Sequence, residues 1–326
     1  MTSHGRSACV IGAQGALGKV VAGQLAEAGW TVYPAGRRPD RRSGYRHLDL
    51  DSPDTVGPAL GDVDLIISTV PHRGLAAERH VLEHGGVLVN CSHASSATTR
   101  VLAEEVKEPR GTVLLNGGLA PGLANLEAVE LLSRHPEADC LEVAFTILSA
   151  GTAGRAGGEF AYQGLSSRSH HRVVTLPLPQ PFGSTACIET AGSGDFFGRA
   201  AGARKVETYL GFADRSVDLG LRAANALRLM KLLPKAAFAT DRGRPEKASR
   251  EPTAVWLGAR KGGRRLGSSI IECEGDYRTT AEAARVFGQR LVAADRVGCF
   301  NPEDLFGIDD LLPLLSAEGT RISRSD

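Results

Sequence analysis

The sequence predicts an α/β protein with two domains, a doubly wound parallel sheet followed by an α+β domain. The first domain is predicted by short apolar strands that alternate with helical or loop stretches, and by a strand that ends in three glycines spaced three apart. The second is predicted by a change to a strand-rich pattern near residue 125 and by a hairpin signal at 261–263. With 326 residues, the chain can bury two hydrophobic cores.

Six short apolar segments are the expected strands of the first domain. They lie at 8–11, 31–33, 46–49, 65–68, 87–90 and 113–115. An amphipathic helix is expected at 17–28, because apolar residues recur there at helical spacing and Gly29 follows as an end signal. Strands separated by such segments form a parallel sheet that is covered on both faces.

From residue 126 onward, the order of expected strands and helices is typical of an α+β domain. Strands are expected at 141–148, 171–176 and 205–212, with a hairpin over 254–273. Helices are expected at 126–133, 217–233, 279–294 and 307–316, and 301–304 is expected to open a further helix. The polar stretch 240–252 is expected to be an exposed loop.

The composition is that of an ordinary enzyme rather than of a nucleic-acid-binding or membrane protein. Charged residues make up 23% of the chain and the formal net charge is +1, without the basic excess that polyanion binding requires. No apolar run approaches the ~18 residues of a membrane-spanning helix. The six cysteines lack metal-ligand or redox spacing, so we expect reduced thiols, a cytoplasmic protein and no metal site. Arginine far outnumbers lysine, which is typical of a high-GC bacterial genome and leaves secondary metabolism open.

The junction between the first strand and the first helix predicts a dinucleotide site. Gly12 permits a tight turn, Gly15 lets the backbone approach a pyrophosphate, and Gly18 allows the helix to pack closely on the strand. Amide groups at the start of the helix would face the phosphates. The alternative is a purely structural turn. The residues expected to hold the cofactor here are Gly12, Ala13, Gln14, Gly15, Ala16, Leu17 and Gly18.

Two arginines after the second strand favour NADP over NAD. An NAD enzyme usually places an acidic residue there, against the ribose hydroxyls. This chain has Arg37 and Arg38, which can pair with a ribose 2′-phosphate, although a solvated pair in an arginine-rich loop is the alternative. Asp49, after the third strand, is expected either to accept from the adenine amino group or to cap the next helix.

The segments after strands four, five and six are expected beside the nicotinamide, because ligands bind beyond the carboxyl ends of such strands. The segment after strand four supplies small residues that would lie next to the cofactor, and His72 that could reach the substrate. The segment after strand five supplies a thiol and His93, a candidate proton donor. The sixth leads through a glycine turn into a new helix, whose amides can bind substrate. The candidates are Ser68, Thr69, Val70, Pro71, His72, Cys91, His93, Asn116 and Gly118.

Further candidates lie in the second domain. The glycine-dense segment 151–158 is expected to be a flexible loop that could cover the substrate. Tyr162 is a candidate phenol donor, and Arg155 and Arg168 are candidates for binding an anionic group of the substrate. The pair 170–171 is two histidines without a partner at ligand spacing, so no metal site is expected there either.

Several motifs together resemble the saccharopine dehydrogenase (glutamate-forming) family of NADP-dependent oxidoreductases. They are the glycine turn 12–18, Ile67-Ser68-Thr69-Val70-Pro71, Gly117-Gly118-Leu119-Ala120-Pro121-Gly122, Tyr162-Gln163-Gly164-Leu165, Thr279-Thr280-Ala281-Glu282, and Pro302-Glu303 before Leu311-Leu312. The order of these motifs extends over roughly the full length of the chain. The chain departs from members that act on amino acids by having Ala120 where those members carry Asp before the Pro-Gly pair.

The resemblance implies a Rossmann domain at 1–125 and a substrate domain at 126–299 with a mostly antiparallel sheet. It also implies that the last helices, about 300–326, return to the first domain, and that the chain forms a homodimer through the second. The implied reaction is hydride exchange between NADP(H) and a C=N or C=O carbon of a small molecule. Reduction of an activated C=C bond and a non-catalytic NADP-binding sensor remain the alternatives.

Overall fold

The computed structural model describes residues 6–40, 43–71, 74–147, 155–192, 194–235, 238, 251–316 and 319–326. The chain divides into two compact units. The first unit comprises Met1–Leu123 and Tyr277–Phe306, and the second comprises Ala124–Asp276 and Gly307–Asp326. Residues 277–299, which were expected in the second domain, belong to the first unit together with residues 300–306. Residues 307–326, which were expected to return to the first domain, belong to the second unit.

The first unit is built on a parallel sheet, as the alternation of strands and helices predicted. Its strands, in chain order, are β1 (Ser7–Ile11), β2 (Thr31–Gly36), β3 (Arg46–His47), β4 (Leu65–Ser68), β5 (Val87–Asn90), β6 (Thr112–Leu114) and β13 (Gly298–Phe300). They lie in the order β13-β6-β5-β4-β1-β2-β3, with every pair parallel. The doubly wound fold class is therefore confirmed, and the carboxyl ends of these strands meet at one edge of the sheet.

Helices cover this sheet because their apolar stripes match its buried strands. They are α1 (Ala16–Glu27), α2 (Val56–Leu60), α3 (Ala76–His84), α4 (Ser96–Glu105) and α9 (Asp276–Val292). In α1, Gly18, Val21 and Leu25 are buried at helical spacing. The helix ends with Gly29 at φ +82° and a hydrogen bond from the Trp30 N–H to the Leu25 carbonyl, the Schellman pattern.

The second unit is built on a mixed, mostly antiparallel sheet, which confirms the second half of the fold class. Its strands are β7 (Cys140–Ile147), β8 (Val173–Pro177), β9 (Ser184–Thr190), β10 (Lys205–Phe212), β11 (Pro252–Lys261), β12 (Arg264–Glu274) and β14 (Arg321–Ser325). Their order is β14-β12-β11-β7-β10-β9-β8. Among the described strands of this second sheet, only β7 and β10 pair in parallel.

Within the described residues, five helices belong wholly or mostly to the second unit. They are α5 (Leu123–Arg134), α6 (Arg155–Ser166), α7 (Gly198–Ala201), α8 (Arg215–Ala226) and α10 (Ile308–Ser316). Phe212 and Ile188 of the sheet pack with Leu165 of α6 and Leu221 of α8 in one core cluster. The packing of α5 on the sheet includes a bidentate ion pair between Arg324 of β14 and the buried Glu127.

Several expected elements differ from those observed. The strand expected at 46–49 ends at His47, because the Asp49 N–H bonds to Thr55 Oγ1 and leaves the sheet. The glycine-dense segment expected as a loop begins α6 at Arg155, and residues 151–154 lie outside the described residues. The helix expected at 217–233 ends at Ala226 and is followed by a 3-10 turn at Met230–Leu232.

Other differences concern elements that the sequence analysis did not anticipate. Strands β9, β13 and β14 were missed, and the helix expected from 301 onward is a 3-10 turn at Pro302–Asp304. Residues 240–250 of the expected exposed loop lie outside the described residues. Within the part of the chain that the structure describes, no helix combines the length and apolarity required to cross a lipid bilayer.

Candidate functional site

The turn between β1 and α1 has the geometry that its glycines predicted. Gly12 adopts φ +80°, its N–H donates to the Ala35 carbonyl at 2.9 Å, and the Gly15 N–H donates to the Gly12 carbonyl at 2.8 Å. A Cβ at Gly12 would lie 2.9 Å from Thr69 Oγ1 and would overlap Val70. Gly12 therefore has both a conformation and a neighbourhood that exclude a side chain.

Gly18 provides the close approach of α1 to β1. A Cβ on this residue would lie 2.8 Å from the Ala13 Cα and would overlap the Gly12 carbonyl oxygen. Gly15 is different, because it is exposed, its φ of −72° suits any residue, and a Cβ would lie 3.2 Å from the same oxygen. Gly12 and Gly18 are thus required by the fold, whereas the fold alone explains Gly15 less well.

The amino terminus of α1 is open to an anion. Gly15 is its N-cap, and no side chain caps the helix. The first turn of a helix leaves backbone N–H groups without intrahelical partners, and the helix dipole adds partial positive charge there. These groups lie at the edge where the parallel strands end. The arrangement fits a pyrophosphate, because backbone amides supply the donors and the absence of a side chain on Gly15 leaves room for a close approach.

Arg37 and Arg38 extend from the end of β2 into solvent. Both are exposed, and neither guanidinium has an ion-pair partner among the described residues. Their backbone is held from two sides: Gln14 Nε2 donates to the Arg38 carbonyl at 3.2 Å, and the Tyr45 hydroxyl contacts the carbonyl oxygens of Gly36 and Arg38. A side chain from the glycine turn thus fixes the position of the two arginines relative to that turn.

The end of β4 packs directly against the glycine turn. Ser68 is buried, and the Thr69 hydroxyl donates to the Ile11 carbonyl at 2.8 Å. Val70 lies against Gly12, and Pro71 is exposed. Thr69 and Val70 thus border the turn, whereas His72 lies outside the described residues.

After β5, the loop with Cys91 and His93 is held by a buried polar pair. Asn90 Oδ1 accepts hydrogen bonds from the N–H and hydroxyl of Ser92, and Asn90 Nδ2 donates to the carboxylate of Glu78 on α3. Asn90 and Glu78 are both buried. The loop therefore starts from a side-chain network whose members the sequence analysis had not selected.

Burial shifts the pKa values of Cys91 and His93 in opposite directions. The Cys91 thiol lies 3.8 Å from the Gly117 carbonyl oxygen, and burial raises its pKa to about 12, so it stays protonated near neutral pH. His93 is exposed as a residue, yet partial desolvation of its ring lowers its pKa below the ordinary 6.5. A hydrogen bond with the backbone of Ala120 opposes that shift by favouring the charged ring. His93 can therefore exchange a proton on the acid side of neutrality.

Asn116, expected to contact substrate, is directed into the protein. Its side chain is buried, its Oδ1 accepts from the Ala94 N–H at 2.8 Å, and its Nδ2 donates to the Ala94 carbonyl and to Asn301 Oδ1. Both amide hydrogens are thus occupied. These contacts make Asn116 a residue that positions the His93 loop, and leave no amide hydrogen for a bound molecule.

The glycine turn after β6 is closed by its own backbone. The Gly118 N–H donates to the Pro121 carbonyl at 3.1 Å, and a Cβ at Gly118 would lie 3.0 Å from Thr280 Cγ2. A Cβ at Gly122 would overlap the Gly118 carbonyl oxygen. Gly118 was expected to bind substrate, but its N–H already donates to the Pro121 carbonyl. The turn instead places Ala120 beside His93.

Asp49 lies in a local turn. Its Oδ1 accepts from the Asp51 N–H at 3.2 Å, and its main chain bonds in both directions to Thr55 Oγ1. The residue is half-buried, so one carboxylate oxygen is engaged in holding the turn. The N-cap of the following 3-10 turn is Ser52, so Asp49 holds the turn that precedes this helix and does not cap it.

In the second unit, Tyr162 lies on α6 and Arg168 follows the end of that helix. Tyr162, on α6, packs its ring 5.7 Å from that of Phe238 in a core cluster. Arg168 is exposed and lies 3.8 Å from Glu189. The backbone of Arg155 begins α6, and its side chain lies outside the described set. The structure gives Tyr162 a packing role.

The residues that sequence reasoning missed are Glu78, Asn90 and Asn301. All three are buried polar groups that hold the loop after β5 or its neighbour Asn116. Asn90 could have been found, because an asparagine as the last residue of a buried apolar strand needs hydrogen-bond partners. Glu78 and Asn301 lie far from the loop in sequence, and no local pattern links them to it.

Comparison with known proteins supports the fold. No protein-family model and no curated protein sequence matches the chain. Among solved structures, the chain is similar to apo saccharopine dehydrogenase (L-Glu forming) from Saccharomyces cerevisiae, with 13% identity, a TM-score of 0.64, and 98% of this chain and 100% of that chain covered. Dihydrodipicolinate reductase from Paenisporosarcina sp. TG-14 shows 9% identity and a TM-score of 0.43, covering 92% and 99% of the two chains. The saccharopine dehydrogenase-like fold expected from the motifs is thereby confirmed.

Proposed function

We propose that the chain is an NADP(H)-dependent oxidoreductase that exchanges a hydride with the carbon of a C=N or C=O bond in a small molecule. The observation that carries the proposal is the uncapped amino terminus of α1 behind Gly15, at the carboxyl edge of a parallel sheet. A glycine is required at Gly12 and Gly18 by the packing of the turn, but Gly15 is best explained by a ligand that approaches its backbone.

Three groups of residues would hold the cofactor. The backbone of residues 12–18 would bind the pyrophosphate, and Arg37 with Arg38 would pair with a 2′-phosphate. Ser68, Thr69, Val70 and Pro71, at the end of β4, would border the nicotinamide side, with the protonated Cys91 thiol nearby. When bound, the dinucleotide supplies the hydride at its nicotinamide ring.

The 2′-phosphate assignment depends on two unpaired cations at a fixed position. Arg37 and Arg38 are exposed, and no ion pair with a described residue stabilises their guanidiniums. Each would gain a charge-assisted hydrogen bond from a phosphate. Gln14 donates to Asp40 Oδ2 as well as to the Arg38 carbonyl, so the single acidic residue next to this position is engaged with the turn. This arrangement favours NADP over NAD.

His93 is the residue best placed to handle the proton. The residue is exposed, desolvation of its ring lowers its pKa below 6.5, and its loop is held by Asn90 and Asn116. In the reducing direction, the protonated ring would supply a proton from a ring nitrogen to the reduced nitrogen or oxygen. The neutral ring would accept that proton in the reverse direction.

Two other functions stay open as alternatives. A C=C reductase would use the same cofactor site, and a sensor would bind the cofactor without turnover. The deciding experiment follows deuterium from NADPH labelled at the nicotinamide C4 into panels of cyclic imines, ketones and enones. Deuterium on the former C=N or C=O carbon supports the proposal, and deuterium on an alkene carbon supports the alternative. Cofactor binding without transfer to any panel leaves the sensor.

A further inference from the structure

An exposed apolar surface with several cations lies at the end of α8 in the second unit. Three of its leucines have large exposed fractions: 68% for Leu219, 68% for Leu227 and 74% for Leu232. Leu229 is also exposed. We call residues 219–235 the α8 surface. Four exposed leucines thus lie in one short segment, and exposed apolar surface that is concentrated in one place marks interaction sites.

The inner side of the same segment is fully used in the fold, so the exposed leucines are not displaced core residues. Leu221 and Asn225 of α8 and Met230 of the following turn are buried, and Leu221 and Met230 belong to a core cluster. The outer face of the helix carries Leu219, with Ala223 and Ala226 exposed beside it. One segment thus has two apolar faces, and the protein core covers one of them.

Two of the four cations on this surface have an acidic partner, and two have none among the described residues. Arg222 lies 3.6 Å from Asp218, and Lys235 lies 2.6 Å from Glu159. Arg228 and Lys231 are exposed and have no ion-pair partner among the described residues. The surface therefore combines exposed leucines with a local excess of positive charge, while the whole chain has a formal net charge of only +1.

The end of α8 contains an arginine at a position that usually holds glycine. Arg228 adopts φ +59°, its N–H donates to the Asn225 carbonyl, and the Leu229 N–H donates to the Ala224 carbonyl. This is a Schellman ending, in which glycine occupies the left-handed position at least cost. Arg228 therefore weakens the helix ending, and its guanidinium has no partner in the described structure that would offset this cost.

We propose that the α8 surface docks the protein on an anionic lipid membrane, with its leucines among the acyl chains and Arg228 and Lys231 at the phosphate level. Leucines next to unpaired cations fit an interface that is apolar below and negative above. A second copy of the chain fits less well, because a two-fold contact would place the unpaired cations of both copies close together. Such docking requires no membrane-spanning helix, so it departs from the expectation that the chain has no membrane partner.

The test is co-sedimentation of the full chain with phosphatidylcholine vesicles that contain or lack phosphatidylserine. We expect binding to the anionic vesicles that weakens with added salt, and far weaker binding to the neutral ones. Leu227→Ser with Leu232→Ser should lower the partition coefficient at least about tenfold, since the lost apolar contact drives insertion. Val297→Ser, at an exposed valine of the first unit, is the matched control and should leave it unchanged.

Arg228→Gly separates docking from folding. Glycine suits the left-handed position, so the melting temperature should hold or rise, while the partition coefficient should fall about fivefold through the loss of one cation. Arg290→Gln, at an exposed arginine of α9, should change neither quantity. Equal binding to both vesicle types, no binding, or unchanged binding of the leucine variant would overturn the proposal. A dimer in light scattering that the leucine variant converts to a monomer would also overturn it and assign the surface to a second copy.

Discussion

The side-chain amide of Asn116 holds both polar groups of the Ala94 main chain, accepting from its N–H at 2.8 Å and donating to its carbonyl at 3.1 Å. Asn116 follows β6 at φ +58°, a left-handed conformation that asparagine tolerates better than most residues. Ala94 directly follows His93. Asn116, a buried residue after β6, thus positions the backbone beside His93, the candidate proton donor after β5.

Replacing Asn116 with glycine should impair turnover more than cofactor binding. Glycine keeps the left-handed backbone but removes three hydrogen bonds, so we expect a loss of about 1–3 kcal/mol of stability. Misplacement of His93 should lower kcat about tenfold to a hundredfold with little change in the Kd of NADPH. Asp62→Gly, at φ +59° on an exposed residue, is the control and should leave kcat unchanged. A kcat equal to that of the parent chain would remove Asn116 from the positioning role.

A methyl group at Gly15 should weaken cofactor binding and leave the stability of the fold nearly unchanged. Its Cβ would lie 3.2 Å from the Gly12 carbonyl, at an ordinary φ, so Gly15→Ala should unfold within a few degrees of the parent chain. The methyl group would stand where the pyrophosphate approaches the backbone, and we expect the Kd of NADPH to rise at least about tenfold. Gly23→Ala, in the exposed middle of α1 with no atom within 4 Å, should stabilise the chain by about 0.5–1 kcal/mol without changing the Kd.

The pH dependence of reduction should report His93. Its pKa in the folded protein lies below 6.5, mainly through desolvation of the ring. In the proposed reaction the imidazolium donates the proton, so kcat/KM for reduction should be highest below that pKa and should fall as the pH rises through it. His93→Gln should lose this limb of the profile, and a ring titration by NMR should give the same midpoint. A midpoint above 6.5 would contradict the assignment.

The ion pair between Arg324 and Glu127 should be essential for the second unit. Glu127 is fully buried and receives two hydrogen bonds from the guanidinium, at 2.9 and 2.8 Å. Arg324→Met leaves a buried carboxylate without its cation and should cost about 3–5 kcal/mol in urea unfolding. The control is Arg79→Met, which breaks a pair with Glu105 whose side chains are 37% and 40% exposed, and should cost less than about 1 kcal/mol. Similar losses in both variants would contradict the argument from burial.

Local sequence patterns predicted the elements that depend on local chemistry. The strands at 65–68, 87–90 and 205–212 have the expected bounds, because each is a short apolar or alternating run between clear end signals. The glycine turn was predictable because its glycine spacing is a local pattern, and the atoms that exclude a side chain at Gly18 belong to Gly12 and Ala13. Tertiary contacts determined most of what was missed.

The glycine-dense segment 151–158 shows why a loop prediction from composition was wrong where α6 begins, at Arg155. Its glycines predicted a flexible loop, but the helix α6 includes Gly158, whose Cβ would overlap the Phe238 carbonyl oxygen. That glycine is there for close packing against a distant segment. Similarly, the end of α8 at Arg228 has no glycine to signal it, and the Asn116 contacts join residues 22 and 185 positions apart. No local pattern contains such information.

The most direct test of the account is calorimetric titration of NADPH and NADH into the parent chain and into Arg37→Ala with Arg38→Ala. We predict that the parent chain binds NADPH more tightly than NADH. In the double variant, the Kd of NADPH should rise by about tenfold to a hundredfold, whereas the Kd of NADH should change little. Arg100→Gln, at an exposed arginine of α4, should change neither affinity. Folded protein that binds neither nucleotide would contradict the dinucleotide site itself, and equal losses for both nucleotides would contradict the 2′-phosphate assignment.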